Sequence, residues 1–424
     1  MDGQAEAQAR APRGAGLDPR ITGFVAAHAP AENAAAAIDA IAGALSGEPM
    51  ALVALFVSSS ADLDAVARAA SGAFGGAHII GCTTAGEISE GGYAENEIVA
   101  VGLPASHFAA RVCFVSDLAA FRRAAATESA AALRADLARE APRWTDEFAF
   151  LMVDGMSMRE EPLVAALGAA LGSMPLFGGS AGDALIFGRA YVLHEGRFHT
   201  DAAVLALVRT ACRVKVFNFD NLRPTARKMV VTRADPERRL VREINAEPAA
   251  REYARILGLD PDQLSPLIFS EHPVMVSVGG RHHVRAIGRM EPNGDLAFFS
   301  AIDEGLVLTL AEPMDAEANL REALAALAED GAPAGVLACD CVLRRVAAER
   351  SQTARAISDI LSAGKVVGFN TFGEQFNSVH VNQTLTGVAI YVPEGPVPPR
   401  RDAPDPAQPH GAQPHGALPH GGPR

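Results

Sequence analysis

Hydrophobic positions in this chain fall into three similar successions. Each opens on an uninterrupted apolar run: Ala51 to Val57, Phe148 to Val153, and Gly335 to Cys339. Runs of this length, bounded by polar residues or glycine, predict strands covered on both faces, because a half-exposed strand alternates apolar with polar. An alanine-rich helical stretch follows each run, then a short apolar stub: His78 to Ile80, Pro175 to Phe177, and Lys365 to Val367. Each stub leads into a glycine-anchored turn that ends in an acid: Gly81 to Glu87, Gly178 to Asp183, and Gly368 to Glu374. A further β-rich run closes each unit, at Glu97 to Leu103, Ala202 to Arg209, and Gln383 to Val392. The predicted fold is α/β, with repeated units of strand, helix, strand, glycine turn and strand, and mixed sheets covered by helices. Its period is too long and loose for a solenoid.

The charged segment Arg233 to Arg239 predicts an exposed crossing between domains. After it, Ala246 to Leu257 has helical spacing, with Pro248 tolerable in the first turn. Strand-like runs follow at Val274 to Val278, His283 to Ile287 and Leu296 to Ala301. A boundary near residue 232 gives two associated domains, 21–232 with two units and 233–393 with the third. Residues 1–20 and 394–424 are predicted to be disordered tails, the second because proline and glycine dominate it. That tail repeats a Pro-His-Gly triplet at His410, His415 and His420. Neutral imidazoles bind zinc, nickel or copper, whereas the low-complexity reading gives these histidines no role.

Composition narrows the function classes. At 424 residues, 49% hydrophobic and 21% charged, the chain can bury core for two or more domains. No stretch approaches the roughly 20 apolar residues of a membrane-spanning helix, and the first 20 residues lack an apolar signal core. The expectation is a cytoplasmic protein without membrane insertion. A net charge of -13 argues against binding to a nucleic-acid backbone, which needs a basic surface. All but three of the 37 basic residues are arginine, which with the abundant alanine points to a GC-rich bacterial coding sequence. Five cysteines, odd in number and scattered, make no disulfide framework. Cys339 and Cys341 share a strand face but have neither the C-x-x-C redox spacing nor a second pair for zinc.

The turns are the candidate chemistry. Glycine-framed turns after strands expose backbone N–H groups that donate to carboxylate or phosphate oxygens. The closing acids Glu87, Asp183 and Glu374 would repel a phosphate but hold an ammonium. Together these groups complement a zwitterion, hence an amino acid or similar small polar metabolite. The architectural alternative is that the glycines permit positive φ and the acids cap neighbouring amides. Cys82, Thr83, Thr84, Glu87, Ser180, Asp183, Asn370 and Glu374 on the turns are candidate ligand contacts. His380, Asn382 and Thr384 join them, since alternation puts all three on one face of an extended segment. No nucleotide loop is present: the turns lack the Walker lysine, and no G-x-G-x-x-G opens a helix. His282 and His283, as strand neighbours, point to opposite faces and cannot easily share a metal. Cys82 or Ser180 on a glycine turn loosely suggests a nucleophile, but the spacing does not match G-x-S-x-G and nothing pairs the thiol with a base. A Cys-dependent hydrolase is therefore the third reading, behind two non-enzymatic ones.

The segments Gly81 to Ile88 and Leu176 to Asp183 resemble the N-terminal part of FIST proteins, bacterial sensors of intracellular signal transduction. Arg242 to Asn245 with Pro248 and Tyr253, Ala301 to Gly305, Gly368 to Phe376 and His380 to Thr384 resemble their C-terminal part. The resemblance covers about residues 30–392. It implies a sensory module that binds a small, amino-acid-like ligand and signals to histidine kinases, cyclic-di-GMP enzymes or chemotaxis receptors. Because the matched region and tails account for every residue, output through a separate protein is expected. Some stand-alone members of the family are similar to nitric oxide sensors carrying haem b, which makes such a sensor the alternative function. Haem iron needs an axial donor. His272 and His380 are the candidates, and without C-x-x-C-H no covalent attachment is expected.

Overall fold

A computed structural model describes residues 23–400, except 187, 279, 394, 396 and 399. The expected tail at 1–20 and the histidine triplets near the C-terminus lie outside the described residues. The fold is mixed α/β, and the three sequence units become three six-stranded sheets. Each unit contributes four strands to its own sheet. In the first these are Val25–Pro30, Glu97–Pro104, Met50–Ser58 and His78–Thr84, in that spatial order. The last two pair in parallel and the others antiparallel. The second sheet repeats the order with Phe108–Ser116, Ala202–Thr210, Asp146–Asp154 and Leu176–Ala181. Val214–Asp220, Thr384–Ile390, Gly335–Cys341 and Val366–Thr371 do the same in the third.

The remaining two strands of each sheet are donated by another unit. After its glycine turn every unit sends out a short hairpin. The hairpin Glu87–Ser89 and Gly92–Ala94 extends the third sheet, Val192–His194 and Arg197–His199 extend the first, and Glu374–Phe376 and Val379–Val381 extend the second. The exchange is cyclic and closes the three units into one domain. Inner faces of all three sheets meet in a shared core that holds Phe56, Cys82, Phe150, Met152, Phe177, Cys339 and Phe369. Phe56 stacks on Phe369 at 4.7 Å and Phe150 on Phe177 at 4.8 Å. Outer faces pack under helices, Ala34–Leu45 and Leu63–Ala73 in the first unit, Arg123–Glu140 and Glu160–Leu171 in the second, Ala316–Ala328 and Ala354–Ala363 in the third. The uninterrupted apolar runs follow from this double cover: Phe56 faces the shared core while Leu55 and Val57 face helices.

A second domain is inserted in the third unit, between its strand Val214–Asp220 and its helix Ala316–Ala328. Residues 222–313 form one further twisted sheet around their own core, which includes Met229, Val241, Tyr253, Phe269 and Leu308. The boundary expected near residue 232 falls within the strand Leu222–Asp235, which pairs with both Leu240–Ile244 and Val307–Pro313. Among the described residues no helix is long and apolar enough to cross a membrane.

Candidate functional site

The three glycine turns converge and hydrogen-bond to one another. Ala85 N donates to Asn370 O (2.9 Å) and Asn370 N to Gly86 O (2.7 Å). Gly182 N donates to Thr83 O (3.1 Å), Ser180 N to Gly373 O (2.8 Å) and Phe372 N to Ser180 O (3.1 Å). These N–H groups are therefore engaged by neighbouring turns. The first glycine of each turn makes the close approach possible. A Cβ on Gly81, Gly178 or Gly368 would lie 2.4, 2.3 or 1.8 Å from the carbonyl oxygen of Leu55, Leu151 or Ala338, the residue each faces in the parallel partner strand.

Glu87 and Glu374 hold equivalent places and act on their own units. Glu374 accepts from Thr371 Oγ1 (2.5 Å), Thr384 N (3.1 Å) and Thr384 Oγ1 (2.7 Å), so it ties the turn to the start of the last strand. Glu87 accepts from Thr84 Oγ1 and from Glu97 N in the same pattern. Burial pushes Glu374 up to about 8 and Glu87 to about 7, against the threonine hydrogen bonds that favour the charge. Asp183 is not their counterpart. It accepts from Gly188 N (2.6 Å) and Arg189 N (2.8 Å) and closes a loop. Cys82 is wholly buried in the shared core, and burial pushes its thiol well above the usual range.

His380 and Asn382 lie where the inserted domain meets the third hairpin. Gln375 Nε2 donates to Ser180 Oγ (2.9 Å) and stands 3.2 Å from His380 Nδ1. From the insert, Arg285 Nη1 donates to His380 O (3.0 Å), and Ser300 Oγ and Ala286 N donate to Asn382 Oδ1. Beside them Arg239 pairs with Glu160 (2.6 Å) and Glu161 (2.7 Å) at the start of the helix Glu160–Leu171. Four buried atoms here have no hydrogen-bond partner among the described residues: Gln375 Oε1, His380 Nε2, Asn382 Nδ2 and Arg285 Nε. Haem does not fit at His380. Its Nε2 would stand 2.8 Å from a Cβ on Gly373, and its surroundings are carboxylates and guanidinium groups rather than an apolar porphyrin slot. His272 is half-buried after the helix Pro266–Glu271, with its carbonyl accepting from Tyr253 Oη (2.5 Å). No group of three His, Cys, Asp or Glu among the described residues is placed to hold a metal ion.

A cleft of about 540 Å³ opens at the seam between the insert and the third unit. Tyr93, Arg344 and Gln383 line it from the main domain, Leu267, Ser270 and Glu271 from the insert. Arg344 is fixed by Asp340 Oδ1 (2.8 Å) and Asn221 Oδ1 (2.8 Å), and Asp340 Oδ2 accepts from Tyr93 Oη (2.6 Å). Burial raises the Asp340 carboxyl, and Arg344 opposes that shift. Asn370 Nδ2 also reaches Asp340 (3.4 Å to Oδ2), which links the third turn to this cluster. Gln383, next to Asn382 and Thr384, is buried with Nε2 unpartnered among the described residues. Glu271, Asp315, Glu317 and Arg350 add charges of both signs to the lining, while Leu343, Ala348 and Ile357 add apolar surface.

None of the residues expected on the turns or on the His380, Asn382 and Thr384 face lines this cleft; Gln383, where the chain turns (φ 54°) instead of running extended, does. Tyr93, Asp340 and Arg344 come from two units, and only the exchanged first hairpin brings Tyr93 to the third sheet. The available signal was Asp340, an acid inside an apolar strand, two residues before the helix Val342–Arg350 that carries Arg344.

The fold is that of a two-domain α/β protein, an inserted domain seated on a main domain with a cleft between them. Residues 51–247 match the FIST N domain and residues 249–377 match the FIST C domain. The chain belongs to the FIST family, whose domains are sensory modules of signalling proteins. The junction of the two matches lies inside the inserted domain. No curated protein matches the sequence.

Proposed function

We propose that this protein is a cytoplasmic sensor that binds an amino-acid-like metabolite in the seam cleft and relays its presence to a separate histidine kinase or cyclic-di-GMP enzyme. The supporting observation is Gln383, a residue on the cleft lining whose buried Nε2 has no partner among the described residues, beside the fixed guanidinium of Arg344. A buried donor left unpaired is costly, and a turn of the Gln383 side chain toward a ligand carboxylate in the cleft would satisfy it. Arg344 Nε and Nη1 are committed to Asp340 and Asn221, which leaves Nη2 for the same carboxylate. Glu271, Asp315 and Glu317 supply negative charge for an ammonium, and Leu343 and Ile357 a surface for an apolar side chain. In this reading Thr83, Thr84, Glu87, Ser180, Asp183, Asn370, Glu374 and Thr384 hold the hairpins in place behind the site. Their protein is a detector and not a catalyst.

Thermal unfolding in the presence of each of the twenty amino acids tests the reading. A ligand at about 100 times its Kd stabilises by about 2.7 kcal/mol, a rise of several degrees in Tm. Gln383→Leu and Arg344→Met each abolish that rise. If no amino acid shifts Tm, or if the shift survives both substitutions, the cleft is not the receptor site.

A further inference from the structure

The inserted domain is joined to the rest of the protein by two chain crossings, one entering at Asn221 and Leu222 and one leaving at Pro313 and Met314. These crossings are bonded to each other, Met314 N donating to Asn221 O at 2.7 Å, and all four residues line the cleft. A second set of contacts, made by residues that do not line the cleft, docks the insert on the main domain. Here Arg239, only 6% exposed and in the left-handed backbone region (φ 52°), spans Glu160 and Glu161. Glu161 also accepts from Ala301 N (2.5 Å).

This docked joint is strongly held at one point and poorly satisfied beside it. Gln375 Oε1, His380 Nε2, Asn382 Nδ2 and Arg285 Nε are all buried there without partners among the described residues. Native interiors carry only a few such atoms per 100 residues, and each one forgoes a hydrogen bond that water would supply if the joint opened. The ion triad is the contact that opening breaks, exchanging two short charge-assisted hydrogen bonds of Arg239 for hydration.

We infer that residues 222–313 form a lid, hinged at the crossings beside the cleft and latched by Arg239 on Glu160 and Glu161. Its opening hydrates the four unpartnered atoms and changes the walls of the cleft. That the lid regulates ligand binding rests on the cleft being the receptor site, since a ligand shifts such an equilibrium only by binding one arrangement better. The lid itself does not depend on that reading.

Hydrogen exchange of the full-length protein, measured without ligand, tests the lid. In the wild type, the Ala286 and Ala301 amides, which bond across the joint to Asn382 and Glu161, exchange by a sub-global opening and faster than those of 146–154. Arg239→Met accelerates exchange of these two joint amides by about tenfold or more while leaving 146–154 unchanged. Arg239→Lys, which keeps the charge, gives a smaller acceleration. Joint amides that exchange only with global unfolding in the wild type overturn the lid, as does an Arg239→Met effect that is absent or uniform along the chain. Failure of every amino acid to bind overturns the receptor site instead, and leaves the lid to stand or fall on the exchange data.

Discussion

Glu374 shows what a buried acid does in this protein. Its carboxylate oxygens serve Thr371 and Thr384, and its position is matched by Glu87 with Thr84 and Glu97 in the first unit. Folding raises its pKa from the ordinary 4.5 to about 8 through burial. Between those values the folded protein holds a proton that the unfolded chain has released, so stability falls as pH rises. The contribution is complete below about pH 4.5 and is lost on passing about pH 8. Glu374→Gln, which keeps the shape and removes the titration, is expected to reduce the loss of Tm between pH 5 and pH 8 relative to wild type. An unchanged pH slope would show that other groups set it.

The reused strand-and-turn element depends on glycine for a packing reason. Gly178 faces Leu151 across a parallel pair, where a Cβ would sit 2.3 Å from a carbonyl oxygen of the backbone. Gly178→Ala must spread the two strands and is expected to cost about 3 kcal/mol in denaturant unfolding. Gly72 provides the contrast. It lies in the helix Leu63–Ala73 with open space around its Cβ position, so Gly72→Ala is expected to stabilise by about 0.5 kcal/mol. These elements were legible in the chain because the same apolar run, stub and turn recur with the same flanks. The hairpins after the turns were not. Strands as short as Val192–His194 and Arg197–His199 carry too few residues for a periodic signal.

Hairpin exchange makes the main domain one cooperative body. The first unit completes the third sheet, the third completes the second, and the second completes the first. A fragment of residues 1–247, which spans the FIST N match, therefore lacks the third hairpin and leaves the first without its sheet. It is expected to show no cooperative thermal transition by circular dichroism, whereas the full-length protein shows one. Sequence alone determined the three units and their buried strands, because patterning and turn chemistry act over a few residues. It could not determine which unit's hairpin completes which sheet. The crossing at Asn221 and Met314, the placing of Tyr93 beside Asp340 and Arg344, and the burial of His380 beneath the insert were likewise decided by tertiary structure. Those pairings join residues from about 90 to about 250 positions apart, and only the packing of three sheets and an inserted domain brings them together.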